Sequence, residues 1–306
     1  MEDVLRIGTR ASDLAMAQAR QVALALSEAG YRTEIVPMVT KGDQILDRAL
    51  DQISGKGLFT TELETALFDG RVDVAVHSLK DLPTQPVPGL MVAAYALAED
   101  GRDVLVADGG TVLAKLPAGA PIGTSSLRRT AFLRSLRPDL EVVPVRGNLK
   151  TRLAKWQARE VFGLVLAAAG IHRLGLQQVI AEYLSPHEFV PSPGQGILAV
   201  ETRADDSAAG ALAARLDDAG LRLRAVVERT VLATLGGGCQ IPLGVWAEVR
   251  GGEIAVTARV MALDGQRGIV VTDRAGAEAA ERLGMRVGRQ LLAAGAERFI
   301  TGVSQP

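Results

Sequence analysis

The sequence predicts a mixed α/β chain: two successive regions of strand, loop and helix, followed by a small α+β domain. Three observations carry that prediction. Short apolar runs end repeatedly in glycine, hydroxyl or arginine residues that open helices, the pattern of sheets covered by helices. Pro191-Ser192-Pro193-Gly194-Gln195-Gly196 is a turn-rich junction, and the strand and helix after it are expected to pack back on the first region. After about Leu221 the order changes to consecutive hairpin-like strands bounded by helices. The resulting plan is two lobes joined by two chain crossings. Residues 1–98 with 197–217 form the first lobe, 102–192 the second, and 220–306 a C-terminal domain.

In order, a strand at 4–7 leads through Gly8-Thr9-Arg10-Ala11-Ser12 to a helix at 13–28, with Ser12 as its N-cap. Arg10 and Ser12 therefore sit where free backbone N–H groups and the helix dipole favour an anion. A strand at 33–39 follows. The aperiodic stretch from 43 to 59, with Gly55-Lys56-Gly57, is long enough to be a lid. A helix at 60–68 precedes the strand 72–76, which runs into His77-Ser78-Leu79-Lys80-Asp81-Leu82-Pro83. Charge placed at the carboxyl end of a strand lies where open α/β sheets bind ligands. The other reading of Lys80 and Asp81 is a surface ion pair in a turn, which contributes little.

The second region repeats the arrangement twice. Ala120-Pro121-Ile122-Gly123 ends in Thr124-Ser125-Ser126-Leu127-Arg128-Arg129, and Val142-Val143-Pro144-Val145 ends in Arg146-Gly147-Asn148, with Lys150, Thr151 and Arg152 on the next helix. Hydroxyls at an N-cap beside arginine forks suit carboxylates or phosphates. Three such junctions point to a ligand with several anionic groups. A buried strand at 162–168 leads to Gly170-Ile171-His172-Arg173, and a strand at 197–201 to a helix at 208–216. The last domain has a helix at 222–235, strands at 244–249, 254–261 and 268–273, and a helix at 275–294.

Composition narrows the function. With 306 residues, 48% hydrophobic and 23% charged, the chain is an ordinary globular one able to bury a sizeable core. Of its 34 basic residues six are lysine, so a single arginine counts only in a special backbone setting. A net charge of −1 and 4% aromatics argue against a nucleic-acid binder. The longest apolar run, near 162–171, is far below the roughly 20 residues of a membrane span. The N-terminus shows no basic-then-apolar leader, and a single cysteine allows no internal disulfide. A soluble, cytoplasmic protein is expected, with no membrane association. His77, His172 and His187 lack metal-ligand spacing with the cysteine, so no metal site is expected.

That cysteine lies in Gly236-Gly237-Gly238-Cys239-Gln240-Ile241-Pro242. A lone cysteine is commonly a small buried hydrophobe. A glycine-rich loop instead leaves the thiol uncovered, placed to react or to carry something.

The motif Arg6-Ile7-Gly8-Thr9-Arg10-Ala11-Ser12, the His77–Pro83 motif, the stretch 123–129, Arg146-Gly147-Asn148 and the Cys239 loop occur in that order. Together, over essentially the whole chain, they closely resemble porphobilinogen deaminase, also called hydroxymethylbilane synthase. The resemblance implies two periplasmic-binding-protein-like (type II) lobes and a C-terminal domain carrying one dipyrromethane, covalently attached through a Cys239 thioether. It implies a transferase that deaminates porphobilinogen and joins four units head to tail into linear hydroxymethylbilane, for tetrapyrrole biosynthesis.

On the same resemblance Asp81 is the catalytic carboxylate. Lys80, Thr124, Ser126, Arg128, Arg129, Arg146 and Gly147 join Cys239 in holding the cofactor. Arg10, Ser12, Lys56, Arg146, Arg152, Arg173 and Gln195 meet the substrate. The chemistry suits these residue types. Acetate and propionate arms make the growing chain a polyanion, and loss of ammonia leaves a cation that a carboxylate stabilises. Gln52 stands where some members carry a second lysine, and Pro191-Ser192-Pro193 is richer in proline than the pattern. A two-lobed anion-binding protein without catalysis explains the arginines but not the Cys239 loop. Nothing in the sequence calls for an obligate interface, so a monomer is expected.

Overall fold

The computed structural model describes residues 4–40, 42, 60–237 and 241–300. In chain order the elements begin β1 (Leu5–Arg10), α1 (Asp13–Glu28), β2 (Thr33–Met38), α2 (Thr61–Phe68), β3 (Val74–Ser78) and β4 (Leu90–Ala96). Next come β5 (Asp103–Ala107), β6 (Pro121–Gly123), α3 (Leu127–Leu136), β7 (Glu141–Val143), α4 (Leu149–Gln157), β8 (Gly163–Ala167), α5 (Ala168–Arg173) and β9 (Ile180–Tyr183). The chain closes with β10 (Leu198–Arg203), α6 (Ser207–Ala214), α7 (Ala219–Thr234), β11 (Leu243–Arg250), β12 (Glu253–Met261), β13 (Gly268–Gly276), α8 (Ala280–Ala293) and α9 (Glu297–Ile300).

These elements divide into two compact units, Met1–Glu99 with Gly196–Arg222 and Asp100–Gln195 with Leu223–Pro306. The first holds a five-stranded sheet of order β2-β1-β3-β10-β4, in which β1 runs parallel to β2 and β3 while β10 is antiparallel to β3 and β4. Helix α1 starts at Ser12, whose hydroxyl accepts from the Ala15 N–H. It buries Ala19, Val22 and Leu26, at 3–4-residue spacing, against Ile7, Val74, Val76 and Val200 of the sheet.

The second unit holds a sheet of order β7-β6-β8-β5-β9, with β6 parallel to β7 and β8 and β5 antiparallel to β8 and β9. The two sheets thus share one topology, although no repeat is visible in the sequence. In each, the antiparallel fourth strand is the one that follows a chain crossing. Strand β5 is buried along its whole length. Its Leu105 packs with Ile122, Phe132 and Phe189, and its Val104 and Val106 with Val145, Leu164 and Ile171.

The same unit carries an antiparallel sheet, β11-β12-β13, covered by α7 and α8. Val227 and Val231 of α7 and Leu283, Val287 and Leu291 of α8 pack on Val245, Val256 and Ala258.

Strands β4, β5 and β9 have no counterpart in the sequence reading. Strand β5 is short and buried on both faces, so it has no alternation to detect. Strand β4 is diluted by three alanines, which are weak strand formers. The helix expected from 275 begins at Ala280, because β13 runs on to Gly276 in register with β12.

Candidate active site

Because β6, β7 and β8 are parallel, their carboxyl ends lie on one edge of the second unit's sheet. Three cationic junctions therefore meet there. After β6, the Thr124 N–H donates to the Val143 carbonyl at 2.9 Å, and the Ser126 hydroxyl caps α3 by accepting from the Arg129 N–H at 3.4 Å. The buried Thr124 hydroxyl accepts from the Ser126 N–H at 3.2 Å.

After β7, Asn148 caps α4 by accepting from the Thr151 N–H at 2.9 Å and the Thr151 hydroxyl at 3.0 Å. Gly147 has φ +107°, and a Cβ there would lie 2.7 Å from the Thr151 side chain, so this turn requires glycine. Arg152 Nε donates to the Gly147 carbonyl at 2.8 Å, which holds Arg152 over the turn. Arg146, Arg152 and, on α5 after β8, Arg173 are half-buried.

Arg128 and Arg129 turn inward. Arg128 is 5% and Arg129 6% exposed, and both reach Asp103, which is fully buried. Arg128 Nη1 donates to Asp103 Oδ2 at 2.6 Å and to the Val190 carbonyl at 2.8 Å. Arg129 donates to Asp103 Oδ1 through Nε at 2.9 Å and Nη2 at 2.7 Å. Burial pushes the Asp103 carboxyl up, but the two guanidiniums and the hydrogen bonds from Arg128 and Gln195 outweigh it. They hold it well below the usual carboxylate range. The edge-to-face pair Phe132 and Phe189 walls the group, each ring centroid 5.9 Å from the Arg128 guanidinium carbon.

Gln195, expected to meet substrate, is 1% exposed. Its amide donates to the Gly101 carbonyl at 2.8 Å and to Asp103 Oδ1 at 3.2 Å. The backbone beside it is fixed by Glu228 of α7, also fully buried. Glu228 accepts from the Gly194 N–H at 2.6 Å, the Ala247 N–H at 3.0 Å and Arg224 Nε at 2.8 Å. Arg224 in turn donates to the Gln195 carbonyl at 3.0 Å and lies 4.3 Å over the Trp246 ring. Asp103 and Glu228 are functional candidates absent from the sequence reading.

In the first unit β1, β2 and β3 are parallel, which brings the ends of β1 and β3 to one edge. The half-buried Arg10 and Ser12 follow β1. After β3 the chain makes one 3₁₀ turn, Leu79–Asp81. Leu79 and Leu82 are buried, and the Leu79 N–H donates to the Ile197 carbonyl at 3.0 Å. Those anchors leave Asp81 exposed and Lys80 half-exposed between them. Gln18 of α1, 4% exposed, donates to the Ser78 hydroxyl at 2.7 Å and steadies the start of the turn. Behind it the buried His77 Nε2 lies 3.2 Å from Glu201 Oε2.

Cys239, Lys56 and the 43–59 segment lie outside the described residues. Before the cysteine, Gly236 and Gly237 take φ +92° and +51°. Among the described residues no cluster of His, Cys, Asp or Glu is arranged to hold a metal, and no helix is long and apolar enough to cross a membrane.

Two α/β sheets of one topology, with cations at parallel strand ends and a small antiparallel domain after them, define the class: an α/β protein with cationic sheet edges. The family description "Porphobilinogen deaminase, dipyromethane cofactor binding domain" matches residues 5–211, and "Porphobilinogen deaminase, C-terminal domain" matches 222–293. The porphobilinogen deaminase of Syntrophomonas wolfei subsp. wolfei is 44% identical over 293 residues, covering 95% of this chain and 96% of its own. That of Roseiflexus sp. (strain RS-1) is 45% identical over 306 residues, covering 99% and 100%. The chain belongs to the porphobilinogen deaminase family. Among solved structures, a periplasmic substrate-binding protein of an ABC transporter from Coxiella burnetii superposes with a TM-score of 0.43 at 14% identity, over 74% of this chain and 97% of that one. A likeness of that degree carries no functional weight.

Proposed function

We propose that this chain is a hydroxymethylbilane synthase. It releases ammonia from each of four porphobilinogen molecules and joins them head to tail into linear hydroxymethylbilane, as a cytoplasmic monomer. The observation that carries the reading is the set of three cationic strand ends on one sheet edge of the second unit, in a chain of this family. A dipyrromethane bears several carboxylate arms, and the donor chemistry of that edge fits it. Thr124, Ser126, Arg128, Arg129, Arg146 and Gly147, with Lys80, would hold the group, tethered by Cys239. When bound, it supplies the pyrrole carbon onto which units are added.

The chain's own residues do the rest. Arg10, Ser12, Arg146, Arg152 and Arg173, with Lys56, bind and orient the arms of the incoming pyrrole, while the buried Gln195, expected to meet substrate, instead acts through its bond to Asp103. Asp81, exposed between two buried leucines, stabilises the positive charge left when ammonia departs and takes up the pyrrole proton. Arginines that hold the substrate's arms oppose cation formation, so a carboxylate able to meet the departing charge is a chemical requirement, and Asp81 is the residue proposed for it. The working unit on this reading is three domains with bounds 1–98 plus 197–217, 102–192 and 220–306.

Intact mass of the denatured protein tests the reading. The mass is expected to exceed that of the sequence by one dipyrromethane, and peptide mapping to put the excess on Cys239. Fully active protein without the adduct would overturn it.

A further inference from the structure

Asp103 opens β5 and is fully buried, with both oxygens engaged by guanidiniums. One carboxylate against two guanidiniums leaves a surplus positive charge, in a place that almost no solvent reaches. An uncompensated buried charge is strongly unfavourable, so such a group is complete only when a further anion meets it. Burial lowers the Arg128 guanidinium, Asp103 opposes that, and Arg129 adds to the lowering. The bonds to Asp103 use Nη1 of Arg128 and Nε and Nη2 of Arg129, so each fork is fixed from one side. Arg128 Nη2 and Arg129 Nη1 are not spent on it. Gln195 steadies Asp103 in turn, and Arg224 and Glu228 steady the backbone around Gln195.

We propose that Asp103 is a positioning residue for the reaction. It locks the Arg128 and Arg129 forks in one orientation so that their remaining N–H groups meet a carboxylate arm of the dipyrromethane. This deepens, and rests on, the reading of the chain as an enzyme carrying that group. Two effects of removing the Asp103 charge oppose each other. A second uncompensated guanidinium by itself raises the attraction for an anion, whereas loss of the fixed forks lowers it. Positioning requires the second effect to win.

The test is Asp103→Asn in the full chain, purified beside wild type. Thermal unfolding establishes that it is folded, intact mass gives the fraction of Cys239 carrying the adduct, and porphobilinogen turnover gives kcat and KM. The expected result is a cooperatively folded protein whose adduct occupancy falls at least tenfold. A lowered Tm with full occupancy and wild-type kcat/KM is what a purely structural carboxylate produces, and it would overturn the proposal. If Asp103→Asn does not fold, Asp103→Glu decides, because it keeps the charge and moves the carboxylate by one methylene. It is expected to retain the adduct and lose at least tenfold in kcat/KM, and wild-type kcat/KM there would equally overturn positioning. Absence of the adduct from wild type is a separate result, which sinks the enzyme reading.

Discussion

Truncating Glu228 to alanine removes the acceptor for three donors at once: the Gly194 and Ala247 N–H groups and Arg224 Nε. The two N–H groups are left in the interior, where an unsatisfied buried donor costs about 1–3 kcal/mol each. Arg224 keeps its bond to the Gln195 carbonyl and its place over Trp246, so its share is small. Breaking a buried ion pair by removing one partner costs about 3–5 kcal/mol, and about 4 kcal/mol is the expected total. For a unit of roughly 150–250 residues each kcal/mol is about 2–4 °C, so Tm is expected to fall by about 8–16 °C. The two tryptophans, Trp156 and Trp246, both lie in the second unit, so their fluorescence during heating reports on it alone. Glu228→Gln keeps the shape and one acceptor oxygen and is expected to lose about half as much. A fall below about 3 °C for the alanine variant would refute the claim that this carboxylate satisfies two otherwise stranded backbone donors.

Asp81→Asn, on an exposed turn, is expected to shift Tm by less than about 2 °C and to keep the adduct. Ammonia release is expected to fall by about 100-fold or more, and surviving turnover would remove Asp81 from the chemistry. Gly147→Ala forces a side chain into a positive-φ position against Thr151 and is expected to destabilise by about 1–3 kcal/mol. Because Arg152 is bonded to the Gly147 carbonyl, the same change should raise KM for porphobilinogen, and an unchanged KM would show that this turn does not set the arginines. The pH dependence has a definite sign. Asp103 titrates below its unfolded value near 3.9, so its stabilisation is fully present above about pH 4 and is lost as pH falls further, through the folded value. Asp273 of the same unit is depressed in the same direction, first by its hydrogen bond from Arg286. The tryptophan signal is therefore expected to persist to pH 4, and its collapse between pH 6 and 5 would contradict that account.

The junctions were legible in the sequence because their residues act locally. Ser12, Ser126 and Asn148 are caps whose side chains bond three residues on, and Gly147 marks a turn that no other residue fits. What lay beyond reach depends on partners distant in the chain. Asp103 meets arginines 25 and 26 positions later, and Glu228 meets an N–H 34 positions earlier. A faint signal existed for each. Asp103 heads a run of four apolar residues, where a buried acid needs a cation, and Glu228 lies on the same buried helical face as Ala225 and Val231. A substrate role for Gln195 rests on the resemblance alone, and the structure adds a bond to Asp103 that no spacing reveals.

The antiparallel fourth strand of the first sheet has a consequence for how the chain is made. Among the described residues strand β4 pairs with β10 and with no other strand, yet β4 ends at Ala96 and β10 begins at Leu198. At a translation rate of 5–20 residues per second, the intervening hundred or so residues take about 5–20 s to emerge. For that interval the nascent first lobe has an unfilled slot in its sheet, and β4 has no strand to join. The second lobe is under no such delay, since all five strands of its sheet lie within residues 103–183. On the ribosome the later lobe is thus able to complete its sheet first, and a nascent chain stopped short of Leu198 is expected to be cut by protease within its first hundred residues while its second lobe resists.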